Sequence, residues 1–175
     1  MCSLFSYVVE HDCGTAPNPF GGYCTLVKCK PRIIELAEER DWIVGTGGSN
    51  KDRSAGHGKL VYAMRVDERI PFARYRCDKR FHGREDTKGE AACEFALVSK
   101  HFFYFGKEAI RIPQRYREHP EHPLEKRGPA HRSKFSPQFI ADFTKWLERT
   151  FKVGRHGNPC CTRDRNGKCR GTTCK

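Results

Sequence analysis

The chain has 175 residues, with 33 Lys and Arg against 21 Asp and Glu, a formal net charge of +12 and a sequence pI near 9.4. No apolar run approaches the roughly 20 residues a membrane helix needs, which excludes a helical spanning protein and any membrane partner read from such a span. The ten Cys fall short of the roughly 8–10% expected of a small disulfide scaffold, and the first ten residues lack the basic and apolar segments of a secretory signal. These features predict a cytoplasmic protein whose thiols are free, catalytic or metal-bound.

Leu4 to Val9 is β-branched and aromatic and predicts a first strand. Residues 11–23 are dense in Gly, Pro, Asn and Asp and predict a structured loop, followed by a short strand over Thr25 to Lys28. Pro31 suits the first position of a helix running to Arg40, with Ile33, Ile34 and Ala37 on one face. Asp41 to Gly45 returns as a strand and residues 46–58 form a flexible loop. Leu60, Tyr62, Met64 and Val66 alternate with Val61, Ala63 and Arg65, the cleanest two-residue period in the chain. Pro71 opens a short helix through Tyr75, residues 78–90 form a charged loop, and Glu94 to Ser99 and Phe102 to Phe105 are two more strands. Residues 113–134 read as one long loop, its His119, His122 and His131 as solvated side chains. Ser136 and Pro137 then start the best helix, whose stripe of Phe139, Ile140, Phe143, Trp146 and Leu147 marks a core face, with Gly154 as its stop.

Strands dominate and do not alternate with long helices. The expected class is therefore α+β, a curved and mainly antiparallel sheet or small open barrel with a few flanking helices. One globular domain is expected over residues 1–154, with a mobile, basic, Cys-rich tail over 155–175.

The positive charge is uneven. Residues 1–64 sum to zero, whereas residues 111–134 carry +4 and residues 152–175 carry +6. Cations on loops and tail around a neutral core suit phosphate contact. The candidates are Arg115, Arg117, Lys126, Arg127, Arg155, Arg163, Arg165, Lys168 and Arg170. In the tail, Cys160, Cys161, Cys169 and Cys174 are candidate zinc ligands, although the adjacent pair does not match common zinc-site spacing.

The Gly-rich loop after Val44 fits neither a dinucleotide fingerprint nor a Walker motif: the glycines those patterns need fall at Asn50 and Arg53. A nest of backbone N–H groups near Thr46 to Ser49 remains open as a phosphate cradle. Phe102 and Tyr104 share one strand face, Phe103 and Phe105 the other, and core on both faces is the expectation.

Tyr7-Val8-Val9, Ala16-Pro17-Asn18-Pro19-Phe20-Gly21 and Cys24 through Pro31 resemble blocks of the second of the nucleotide modification associated domain families. Asp41 through Gly47, Leu60 through Val66, His101 through Gly106 and the Trp146 helix resemble its other blocks. The resemblance spans roughly residues 3–158. It implies a bacterial or phage protein, in bacterial or host cytoplasm, working beside or within the modification of DNA bases. The element order also resembles, at the level of fold, domains of the PUA and EVE type, curved sheets that hold a flipped or modified base.

Two functions are expected from these residues. The first is a nucleic-acid-binding module, with DNA preferred, in which Asn18, Asp12 and Thr46 hydrogen-bond a base and Trp42 or Tyr104 stacks on it. The second is a base- or nucleotide-modifying enzyme, with Asp12 as acid or base, Cys24 as nucleophile, Arg65 as electrostatic clamp and His101 as a further base. A third is an interaction subunit of a modification complex.

Overall fold

A computed structural model describes residues 2–50, 52–88, 93–125, 127–163 and 169–171. Its main sheet is built on β1 (Leu4–Val9), β3 (Trp42–Gly47), β4 (Lys59–Arg65) and β7 (Phe102–Tyr104), with β8 (Ile110–Arg111), β9 (His131–Arg132) and β10 (Gly154–Arg155) added at its margins. The order is β10-β7-β4-β3-β1-β9, with β8 pairing the start of β4. A second sheet, β2-β6-β5, joins β2 (Cys24–Leu26), β6 (Phe95–Ser99) and β5 (Glu68–Pro71). The helices are α1 (Pro31–Leu36), α2 (Phe72–Cys77), α3 (Gln114–Arg117) and α4 (Pro137–Thr150), and β11 (Cys161–Arg163) pairs with β12 (Cys169–Gly171).

The class is α+β, as the sequence predicts, and the sheets are not closed barrels. Most pairs are antiparallel, but β1 runs parallel to β3 and β10 parallel to β7. The main sheet is covered on both faces. On one face Leu4, Trp42, Val44, Ala63, Phe103 and Phe105 pack against α3 and α4. On the other, Phe5, Tyr7, Val9, Ile43, Tyr62, Met64 and Tyr104 pack against α1 and the second sheet. This double coverage explains why β1 and β3 are buried throughout and show no polar face. All four residues Phe102 to Phe105 are core, on alternate faces.

The period of β4 is interrupted. Between Gly45 and Thr46 the register shifts, so that Gly45 faces Tyr62 while Thr46 faces Leu60. This bulge sends Leu60 to the helix side and Tyr62 to the opposite side, where simple alternation puts both on one face.

Helix α4 begins as its sequence predicts. Ser136 Oγ accepts from Phe139 N at 3.2 Å, and Pro137 fills the first turn. It ends at Thr150, where Phe151 turns extended, ahead of Gly154. Helix α1 stops at Leu36 because Ala37 is already extended. β5, α3 and β9 are further elements within stretches that read as loop or helix start. Their stability comes from partners: β5 from four paired residues on β6, β9 from Ser6 and Tyr7 of β1.

Candidate functional site

Strand direction gathers the loops at one end. Because β4 is antiparallel to both β3 and β7, while β1 and β10 parallel those neighbours, β1, β3, β7 and β10 all point the same way. The segments after Val9, Gly47, Tyr104 and Arg155 therefore leave the sheet together, and they are laced by backbone hydrogen bonds. Asp12 N donates to Arg53 O at 2.7 Å, Cys161 N to Asp12 O at 3.0 Å, and Lys107 N to Asn158 O at 2.8 Å. Two glycines permit this closeness: a Cβ on Gly47 would lie 2.0 Å from Gly56 O, and one on Gly106 2.0 Å from Asn158 O.

Asp12 is the hub. It is fully buried, and its carboxylate accepts from Tyr104 Oη at 2.6 Å and from Cys160 N at 3.2 Å, with further support from Gly14 N and the Cys160 thiol. Burial outweighs these bonds and holds the acid above the usual carboxylate range. The adjacent Cys13 is joined to Cys161 by a disulfide. This corrects two expectations at once. Cys13 and Cys161 are not free thiols, and Cys161 is not available to a tail zinc. The start of the tail is also packed: β10 extends the sheet, His156 N donates to Tyr104 O at 2.7 Å, and Cys160 is buried. Its apolar contacts come from Tyr104, Phe105 and the 11–23 loop rather than from any period of its own. Cys169 lies on β12, and Cys174 falls outside the described residues. Among the described residues no group of three or more His, Cys, Asp or Glu is arranged to hold a metal.

Beside the hub, Tyr7 and Tyr62 share a buried hydroxyl pair at 2.8 Å, and Thr46 Oγ1 donates to Tyr7 O at 3.2 Å. Cys24 is buried next to them, and burial pushes its thiol well above the ordinary value, which opposes a thiolate nucleophile. Asn18 pairs its backbone with Thr25, and its Oδ1 accepts from Phe20 N at 3.3 Å.

Under this loop lies a polar cluster that sequence reading missed. Asp86 Oδ2 accepts from Thr25 Oγ1 at 2.6 Å and from Tyr75 Oη at 3.0 Å, and Arg84 Nη2 donates to Asn18 O at 2.8 Å. Arg84 and Asp86 sit in a charged stretch that reads as surface, so nothing in their spacing separates them from solvated neighbours.

The rim of this end is exposed. Phe20 is 41% exposed, and the Arg155 guanidinium lies 5.0 Å from its ring centre. The ring rests on Gly14, where a Cβ would come within 2.8 Å of both Phe20 and Pro159. Arg117 lies over Gly58 and pairs with Glu118 at 2.6 Å, while Arg127 is highly exposed near Glu125. Arg115 lines a groove beside α4. Arg163 and Arg170 lie on β11 and β12, and Lys126, Arg165 and Lys168 fall outside the described residues.

The remaining candidates sit at the opposite end. Trp42 begins β3, opposite Arg65 at the end of β4. Six residues of β3 place that end about 17 Å from Gly47. There Arg65 pairs with Asp67 at 3.0 Å and His101 Nε2 meets Glu148 at 2.8 Å. His101 stands edge-on between Trp42 and Phe103. Asp12 and Cys24 therefore share one end with Asn18, Thr46 and Tyr104, while Arg65, His101 and Trp42 do not join them. Trp42 and Tyr104 are both buried and present no open ring face to a ligand.

The sequence pattern of the family described as nucleotide modification associated domain 2 matches residues 1–91 and 82–166. No curated protein and no solved structure matches the chain.

Proposed function

The chain belongs to the nucleotide modification associated domain 2 family, and from that premise we propose that its loop end binds nucleic acid, DNA foremost, as the binding partner of a base-modifying enzyme. A base or nucleotide seats beside the 11–23 loop, and the cations around that loop meet the phosphates. The observation that carries this reading is the exposed Phe20 ring with Arg155 at its face. An aromatic face in water beside a guanidinium is the pairing that single-stranded nucleic acid uses, one group stacking a base and the other meeting the backbone. Asn18 acts as a positioning residue, since its side chain accepts from the Phe20 amide. Asp12, Tyr104 and the Cys13–Cys161 bond hold the loop and the tail segment together, so that Phe20 and Arg155 stay side by side. Arg127, 79% exposed, and the tail cations extend the phosphate-contacting surface, whereas Arg117 is 13% exposed and engaged by Glu118.

The test is fluorescence anisotropy of a labelled single-stranded DNA over a salt series. Binding is expected to weaken steeply as salt rises. Phe20→Ala is expected to weaken it about 5- to 150-fold, from roughly 1–3 kcal/mol of lost stacking. Arg155→Gln should lower the magnitude of the salt slope by about 0.7, one phosphate contact on a single strand. Affinity that is flat in salt, or unmoved by Phe20→Ala, overturns the reading.

A further inference from the structure

We infer that Lys59 and Arg111 form a phosphate clamp, a second anchor for the nucleic-acid strand whose base rests on Phe20. The inference rests on the reading above and extends it to two residues of the main sheet that no loop or tail pattern marks.

Strand register sets the pair apart. Lys59 opens β4 and lies directly opposite Arg111 of β8 in an antiparallel ladder. Residues so placed hold their Cβ atoms roughly 4.5–5.5 Å apart, and like charges there destabilise the pairing. Among the described ladders no other register pair sets two Lys or Arg side chains against each other. Neither side chain makes an ion pair among the described residues. Glu118 does not relieve them. Its bonds to Arg117 and Gln114 and, through space, the charge of Arg111 hold it below the usual carboxylate range, and its oxygens are already engaged.

The base of the clamp is rigid. Ile112 N donates to Gly58 O at 3.0 Å, Leu60 and Ile112 are buried, and Ile110 packs beside them on the helix side of the sheet. Lys59 and Arg111 sit one residue from Leu60 and Ile110, so they point to the opposite face. On that face Tyr104 reaches Asp12 of the 11–23 loop. Arg155, side by side with Tyr104 in parallel register, points the same way and reaches Phe20. Lys59 is half-buried and Arg111 exposed, so both heads are open to a ligand.

Spacing links the two anchors. β10 is two strands from β4, and Lys59 lies beyond Tyr62, the residue that faces Tyr104. Strand separation and rise then put the backbones of Lys59 and Arg155 roughly 12–14 Å apart. A strand of nucleic acid held at Phe20 and Arg155 carries further phosphates across that distance. One phosphate takes bonds from both side chains, lysine acting as a point charge and arginine as a fork. It also cancels the repulsion that the register imposes, which nothing in the described fold does.

Fluorescence anisotropy of the full chain with a labelled single-stranded DNA dodecamer over a salt series tests the clamp. The double variant Lys59→Gln, Arg111→Gln is expected to bind about tenfold more weakly at low salt. The magnitude of its salt slope should fall by about 0.7, one phosphate on a single strand. Its loss should multiply with that of Phe20→Ala, as for separate sites. Arg111→Glu supplies the reading that a structural role would not give: it places opposite charges across the ladder, so the midpoint of urea denaturation should rise while DNA binding weakens. Unchanged affinity and slope in the double variant overturn the clamp, and so does a lowered midpoint in Arg111→Glu. Poly-glutamate that binds the wild type as tightly as DNA does also overturns it, by giving the pair to an acidic protein segment. Wild type that binds no DNA overturns the clamp and the Phe20 reading together. Phe20→Ala without effect, beside a tenfold loss in the double variant, overturns the Phe20 reading and supports the clamp.

Discussion

The two ends of the main sheet differ in how many polar side chains they bury: several at the loop end, and Asp41 at the other. At the loop end, Asp12, Tyr104, Tyr7, Tyr62 and Thr46 are inside the protein and bond to one another or to backbone. At the other end, Arg65 with Asp67 and His101 with Glu148 pair at the surface, their side chains 23–45% exposed. The difference follows from what each end must hold. The far end carries shorter connections, held by strand pairing and by two carboxylates that accept backbone amides, the part-exposed Asp67 and the buried Asp41. The loop end carries segments without regular structure, whose buried backbone groups must find partners among themselves and a few side chains. A buried donor left alone costs about 1–3 kcal/mol, whereas an exposed ion pair is worth about 0–1. Stability and site architecture are thus concentrated at the end where Phe20 and Arg155 meet.

The sharpest way to break that contrast is Asp12→Ala. It strands the Tyr104 hydroxyl and the Cys160 amide inside the protein, and a loss of about 3–5 kcal/mol is expected in chemical denaturation. Asp12→Asn keeps the shape and tests the charge. Burial raises the folded acid above its unfolded value of 3.8, so the fold favours the protonated form. Its contribution is greatest below 3.8 and declines as pH rises through the folded value. The wild type should therefore lose stability relative to Asp12→Asn as pH is raised from 4. Glu68, lowered by its bonds to Arg80, has the opposite sign: its contribution is present at neutral pH and is lost as pH falls through its folded value. A stability difference between wild type and Asp12→Asn that does not change with pH refutes the placement of Asp12 as a buried, raised acid.

Part of this was open to sequence reasoning. β1 follows its β-branched and aromatic composition, β4 and α4 follow apolar period, and the 11–23 loop follows its Gly and Pro punctuation, so the loop of the proposed site is legible in the sequence. Other features depend on partners distant in the chain. β5 and β9 are strands only because β6 and β1 lie beside them. Asp12 is a hub only because residues 158–161 return to it, across 148 positions from Cys13 to Cys161. Sequence cannot separate Phe20, which is exposed, from Phe102 to Phe105, which are core, because the same ring serves both. Trp42 and Tyr104, candidates for stacking on a base, are buried, Tyr104 in line with the core expectation for its strand, and the start of the basic tail packs back so that Arg155 lies on the Phe20 ring.

Gly45→Ala probes the join between the ends. A Cβ there would lie 2.4 Å from Tyr62 Cε1 and 2.6 Å from Val9 Cγ2. The Tyr62 ring cannot swing aside without losing its bond to Tyr7, so overpacking should cost about 1–3 kcal/mol. The loss should fall between those of the two ends, and Tyr7→Phe combined with it should cost less than the sum, since both disturb one hydroxyl pair.

The smallest effect belongs to Arg65. Its bonds to Asp67, 3.0 and 3.1 Å, join a side chain 41% exposed to one 24% exposed, and Arg65→Ala should cost less than about 1 kcal/mol. Asp67 does more than pair with it: its Oδ2 also accepts from the amides of Lys100 at 2.7 Å and His101 at 3.1 Å, which fixes the turn between β6 and β7. Asp67→Ala should therefore cost more than Arg65→Ala, by about 1 kcal/mol or more, because it leaves two backbone donors without their acceptor. Denaturation of the two single variants and the double variant separates the pair from the turn. A coupling energy near zero with a large Asp67 effect is the expected result. If Arg65→Ala alone approaches the loss seen for Asp12→Ala, the far end is as cohesive as the loop end, and the contrast between them fails.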